Sequence, residues 1–221
     1  MSEEQYFQFK NQQKCALFID GNYMLNISRI LTIKIDMEEL FNELTKGMFR
    51  YKTYWYSALE NSSERNNNAY RFLDRLRYIP RTKVYAGRMT KKSQGHFDSA
   101  LRTDAGVALG IGMLETALNS NIDYILLIAA DPEYIPAIRA VQRAGVLVRL
   151  VHAEALGELN PHPDLLKTAD ERIGLDEDKI HEFEYISEFE TDNDSSDFDE
   201  ELDDDFLDED DKLDIIEPDI E

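Results

Sequence analysis

Apolar and polar positions along the chain switch between two periods. The run 15–20 (CALFID) is short, almost wholly apolar and closed by an aspartate and a glycine, the pattern of a buried strand ending in a turn. Residues 36–46 then carry Met37, Leu40, Phe41 and Leu44, which share one face of a helix. The aromatic run 51–58 (YKTYWYSA) predicts a second strand, and 65–78, with Ala69, Phe72, Leu73 and Leu76 in register, a second helix. Further along, 83–86 predicts a strand, 99–118 a long helix, 123–130 (DYILLIAA) a central strand, and 132–144 a helix stopped by Gly145. Residues 146–151 predict a last strand, and 161–178 a final short helix. Strands interleaved with helices imply an α/β fold: a Rossmann-like parallel sheet of about five strands with helices on both faces. Gly106, Gly110 and Gly112 fall inside a helix, where they would permit close packing.

Charge divides the chain. Residues 185–221 hold 19 acids and the single base Lys212, while the other 184 residues hold 26 acids and 23 bases. The domain, 14–184, is therefore near neutral, preceded by an N-terminal extension, 1–13. The segment 185–221 reads as a disordered acidic tail, too polar to bury a core. Within it Phe198, Leu202 and Phe206 recur every fourth residue with Leu207 beside the last, a stripe that would form an amphipathic face on meeting a partner. One cysteine, Cys15, excludes a disulfide framework and a thiolate metal site. The longest apolar run, 124–130, is too short to cross a bilayer, and the opening residues lack the basic and apolar regions of a secretory signal. A soluble, cytoplasmic protein is expected.

Two predicted strands end at an aspartate, Asp20 and Asp131. In an open parallel sheet ligands bind beyond the carboxyl ends of the strands, where the strand order reverses. If these strands are neighbours, Asp20 and Asp131 face each other there. A helix starting near Asp98 would add Asp98 itself and, two turns in, Asp104, and Glu133 follows Asp131 by two. Converging carboxylates repel unless a cation neutralises them, and an all-oxygen set suits Mg²⁺ or Mn²⁺. Residues 50–92 hold 11 Lys and Arg against three acids, and Arg88, Lys91 and Lys92 would lie closest to the pocket. An acidic pocket with a basic approach is the charge layout of a nuclease. Each acid also has a local use: Asp20-Gly21 as a turn, Asp98-Ser99 as a helix cap, Asp104 on a solvated face, and Asp131-Pro132-Glu133 as a helix start. Among the histidines, His96 falls nearest the predicted pocket and none shows metal-ligand spacing.

Four segments, ALFIDGNYM at 16–24, FDSALRTD at 97–104, YILLIAADPEYIPAI at 124–138 and LLKTADERIGLDED at 165–178, together resemble the NYN domain, and most nearly its LabA-like branch within the PIN-like nuclease superfamily. The resemblance implies a metal-dependent endoribonuclease, a hydrolase that cleaves RNA phosphodiester bonds to leave 5′-phosphates. By position it implies an acidic set of Asp20, Asp98, Asp104 and Asp131. Joined with the charge pattern, this gives catalytic Asp20, Asp98 and Asp131, metal held by these with Asp104 and Glu133, and RNA bound by Asn22, Arg88, Lys91 and Lys92. The stretch Ala129-Ala130-Asp131-Pro132-Glu133-Tyr134 departs from the family's usual Ser-Gly-Asp-Ser-Asp-Phe. That departure favours the alternative, a regulator of gene expression, circadian output included, acting by RNA or protein binding with little or no catalysis. Besides RNA, a protein partner for the acidic tail and a homo-oligomer stay open.

Overall fold

Residues Lys14–Asp20 form β1, whose five interior residues, Cys15 to Ile19, are completely buried. A strand covered on both faces reads as a continuous apolar run, as CALFID does. The computed structural model describes residues 12–59, 68–90, 102–103 and 105–185, with side chains for all of these except 59, 68–69, 88–90 and 102–103. The acidic tail beyond Tyr185 lies outside the described residues.

The other strands are β2 (Phe49–Leu59), β3 (Thr82–Thr90), the two-residue β4 (Arg102–Thr103), β5 (Tyr124–Ile128), β6 (Leu147–Ala153) and β7 (Glu171–Leu175). Their order across the sheet is β4-β3-β2-β1-β5-β6-β7, with every neighbouring pair parallel except β3 and β4. The helices are α1 (Gly21–Leu31), α2 (Met37–Leu44), α3 (Asn68–Tyr78), α4 (Ala105–Asn119), α5 (Ile135–Arg143), α6 (Pro163–Thr168) and α7 (Glu177–His181). They pack in two layers. Cys15, Leu17 and Ile19 point to a core shared with α1, α2, α3 and α7, while Ala16 and Phe18 point to one shared with α4, α5 and α6. The two-residue side-chain period of β1 thus builds both cores. Cys15 sits in the first of these, and burial pushes its thiol pKa up to about 11, so it is an inert core residue. Among the described residues no helix is long and apolar enough to cross a membrane.

The expected α/β sheet is present, with two more strands than the pattern predicts. Residues 161–178 do not make one helix: α6 ends at Thr168, and Glu171–Leu175 then adds the edge strand β7. An edge strand buried only at its last residue shows a weak apolar signal, which ERIGL conceals further with two adjacent charges. The long helix starts at Ala105 instead of 99, since Arg102 and Thr103 pair with β3. Asp104 therefore precedes α4 in the chain and does not fall two turns inside it. A whole helix, α1, follows Gly21 where the sequence predicts only a turn. Its propensity is modest, and it forms because Tyr23, Met24 and Ile27 cover β1 and because Asp20 caps its first turn.

In α4 the glycines permit close approach, as expected. A Cβ at Gly110 would stand 3.3 Å from that of Ala137 on α5, and one at Gly112 would overlap the Tyr56 hydroxyl.

Candidate functional site

The strand order reverses between β1 and β5: β2 and β3 follow β1 to one side, β6 and β7 follow β5 to the other. Each parallel crossover carries its helix over the sheet, so the chains leaving β1 and β5 diverge and leave a crevice at their carboxyl ends. Here the crevice is a cleft of about 590 Å³. Asp20 enters it as the last residue of β1, and Asp131, Glu133 and Tyr134 enter from the turn after β5. Asn22 and Asn26 line it from α1, Tyr56 from β2, Gly106 from α4, and Glu158, Asn160 and His162 from the loop after β6.

Asp20 is held from both sides. Its Oδ1 accepts hydrogen bonds from the amides of Asn22 at 3.1 Å and Tyr23 at 3.2 Å, and its Oδ2 accepts one from the Tyr134 hydroxyl at 2.9 Å. Burial lifts its carboxyl pKa above the usual range; the three donors pull it back and the Asp131 charge lifts it further. The Glu133 pKa is raised as well, first by burial and then by the charges of Asp131 and Asp20. Asp131 caps its own turn, accepting from the Glu133 amide at 2.9 Å. Tyr134 is buried to 3 % exposure, and burial with the Asp20 charge keeps its hydroxyl protonated. It is therefore a permanent donor to Asp20.

Asn22 has a second duty besides facing the cleft: its side-chain carbonyl accepts from the Ala58 amide at 3.4 Å, tying α1 to the end of β2. Lys91, Lys92, Asp98 and Asp104 lie outside the described residues, as does the side chain of Arg88, whose backbone in β3 pairs with Leu59 of β2. His96 is also outside them, and the histidine that lines the cleft is His162. Its segment joins the site because the His162 amide donates to the Ala130 carbonyl at 3.2 Å. Tyr134 and His162 carry a readable signal: both follow strands whose carboxyl ends must border the crevice once β1, β5 and β6 are adjacent. The basic stretch divides. Arg50 pairs with Cys15 and Lys83 with Tyr54, so Arg50, Lys52, Arg81 and Lys83 lie toward the amino-terminal ends of the strands, away from the cleft.

Asp20, Asp131 and Glu133 offer only oxygen donors and repel one another, a combination that suits a hard divalent cation. Among the described residues no three His, Cys, Asp or Glu side chains group closely enough to hold a metal ion. The donor chemistry of the three fits Mg²⁺ or Mn²⁺.

Gly106 keeps room for this cluster. A Cβ there would collide with Oε1 of Glu133 and stand 3.5 Å from the Tyr134 hydroxyl. The carboxylate is the far end of a flexible side chain, so Gly106→Ala should change stability by less than ~1 kcal/mol. It should nevertheless displace the Glu133 carboxylate from beside Asp131, and if this cluster holds Mn²⁺ its affinity should fall about tenfold, measured by titration calorimetry.

The comparisons agree with this architecture. A protein of unknown function from Vibrio parahaemolyticus, known from its crystal structure, superposes with a TM-score of 0.58 at 17% sequence identity, covering 76% of this chain and 95% of that one. At that identity the likeness concerns the fold alone. No curated protein sequence matches the chain. The family model for the NYN domain matches residues 14–176, from the first residue of β1 to the cap of α7. The chain belongs to the NYN domain family.

Proposed function

We propose that the protein is a metal-dependent endoribonuclease. The observation that carries this reading is the pair Asp20 and Asp131 at the carboxyl ends of adjacent strands, with Glu133 beside them, in one cleft at the switch point. Membership of the NYN domain family, whose fold is nuclease-like, supports it.

Asp20, Asp131 and Glu133 would hold Mg²⁺ or Mn²⁺, with Asp98 and Asp104 completing the set. When bound, such a cation supplies positive charge at the scissile phosphate and lowers the pKa of water. The chain's residues set the stage for that. Tyr134 fixes one oxygen of Asp20 and the start of α1 fixes the other, so the carboxylate keeps one orientation. The side-chain amide of Asn22, its carbonyl already engaged by Ala58, is left to donate to a phosphate oxygen. Arg88, Lys91 and Lys92 would grip the RNA backbone as it enters. Incubating a labelled mixed-sequence RNA with the full chain should give cleavage with Mn²⁺ or Mg²⁺ and none in EDTA.

A second reading, a LabA-like regulator acting by binding, is favoured by one observation. Asp131 and Glu133 stand in an Ala-Ala-Asp-Pro-Glu loop, and the described acids alone do not close a three-residue metal site. Intact RNA after incubation with folded protein and either metal would select that reading.

A further inference from the structure

Three buried side-chain polar atoms among the described residues have no hydrogen-bond partner: Nη1 of Arg50, Oγ1 of Thr53 and Oγ1 of Thr82. They belong to one place. Thr53 and Thr82 stand opposite each other in the register of β2 and β3, and Arg50 lies three residues before Thr53. The register of β1 and β2 shifts at this point, so that Cys15 pairs with Arg50 and Ala16 with Lys52. Such an irregularity re-aims side chains. It directs Arg50 toward α2, with its guanidinium 5.8 Å from the Phe41 ring, while Tyr51 packs on the opposite face.

A second guanidinium joins the first. Arg81, immediately before β3, is exposed and lies over the Phe49 ring at 4.6 Å, and its Nη1 donates to the Arg50 carbonyl at 2.9 Å. Neither arginine forms an ion pair with a described carboxylate. The charge of Glu38 reaches Arg50 from beyond pairing distance. Lying over aromatic rings uses the faces of the two guanidiniums; Nη1 of Arg81 is taken by the Arg50 carbonyl and Nη1 of Arg50 is buried, and the remaining N–H groups match the oxygens of a phosphate group. Buried donors are seldom left unmatched, and here they gather where positive charge is also unmatched.

We propose that the amino-terminal ends of β2 and β3 form a phosphate-binding site remote from the cleft, made by the guanidiniums of Arg50 and Arg81, and that the phosphate it takes belongs to an RNA backbone. The choice of RNA rests on the endoribonuclease reading; the phosphate site rests on the geometry alone. Cys15, the partner of Arg50 on β1, lies five residues before Asp20, a separation of ~17 Å along the strand. An RNA strand bound at the cleft and continuing over the molecule would reach this second grip. Specificity for longer substrates would follow.

The test is RNA binding in EDTA, where the affinity of the full chain for a labelled single strand is read without turnover. Arg81 has a φ of 64°, which asparagine tolerates well, so Arg81→Asn removes the charge without straining the turn. Arg81→Asn and Arg50→Gln should each weaken binding about tenfold and reduce the salt dependence by about one phosphate contact. In a second arm, inorganic phosphate should raise the Tm of the wild type and not that of either variant. Equal RNA affinity in all three proteins, with no effect of phosphate, would overturn the site. Phosphate protection of the wild type alone, with RNA affinity unchanged, would overturn the RNA assignment and leave a site for free phosphate. RNA binding that depends on both arginines, from a protein that cleaves nothing, would support this site while overturning the nuclease reading.

Discussion

Replacing Asp20 with asparagine is expected to abolish metal-dependent RNA cleavage, a loss on the order of 10³-fold or more, while the protein stays folded. Asparagine is as good a helix cap as aspartate, and its side-chain oxygen can still accept from the amides of Asn22 and Tyr23. What the substitution removes is the negative charge and the Oδ2 acceptor, so the buried Tyr134 hydroxyl loses the oxygen to which it donates. That charge costs stability where it stands, since the folded-state pKa of Asp20 is raised above the unfolded value of 3.8. Its favourable contribution is complete below pH 3.8 and is lost as pH rises through the folded pKa. Relief of the charge and loss of the Tyr134 bond oppose each other, so Asp20→Asn should melt close to the wild-type temperature at pH 7 and below it in acid under the unfolded value, where the wild type has no charge to relieve. Calorimetry beside the cleavage assay separates a lost site from a lost fold. Cleavage that persists in the Asp20→Asn, Asp131→Asn double variant would show that the activity comes from elsewhere.

Gly21→Ala carries the largest expected effect on stability. A Cβ at this first residue of α1 would overlap Nε1 of Trp55, stand 2.5 Å from its Cε2 and 2.9 Å from Cβ of Ser57. The indole cannot retreat. Trp55 is fully buried, donates to the Ser57 hydroxyl at 3.2 Å and meets the Phe72 ring edge-on at 5.5 Å. Overpacking against a rigid ring should cost about 3 kcal/mol, or ~10 °C in Tm for a domain of this size. Because Asp20 and Asn22 flank the glycine, RNA cleavage should fall with it. Trimming the indole in Gly21→Ala, Trp55→Phe should restore part of the loss, giving a coupling of opposite sign to the two single effects.

Much of the sheet is legible in the chain because β1 and β5 are buried on both faces and carry unbroken apolar runs. The helical spacing of Met37, Leu40, Phe41 and Leu44 likewise matches the buried face of α2. The edge of the sheet is not legible. Glu171 and Arg172 are at home at a border where one side of the strand meets solvent, and there they mask the strand period. Of the site, Asp20, Asn22, Asp131 and Glu133 are readable as residues that follow strand ends, and the cleft brings them together. Tyr134 also follows a strand end, but that argument does not single it out as a partner of Asp20. Only the backbone turn after β5 aims its hydroxyl at a carboxylate that is distant in sequence. Arg50, Lys52, Arg81 and Lys83, part of the basic stretch 50–92, fall away from the cleft for a related reason: charge counted along the chain ignores direction, and a strand carries its two ends to opposite poles.

The central position of β1 also has a consequence for how the protein is made. One edge of β1 pairs with β2, which follows soon after in the chain, but the other pairs with β5, beginning only at Tyr124. During synthesis, at about 5–20 residues per second, an apolar strand therefore waits for seconds with half its hydrogen-bonding groups unmatched. Such an edge invites pairing with other chains. It also means that the nascent chain presents Asp20 long before Asp131 exists to oppose it. The cleft comes into being only once β5 and the loop after β6 have been made, so a chain truncated before β5 carries the first acid of the site and no pocket in which to use it.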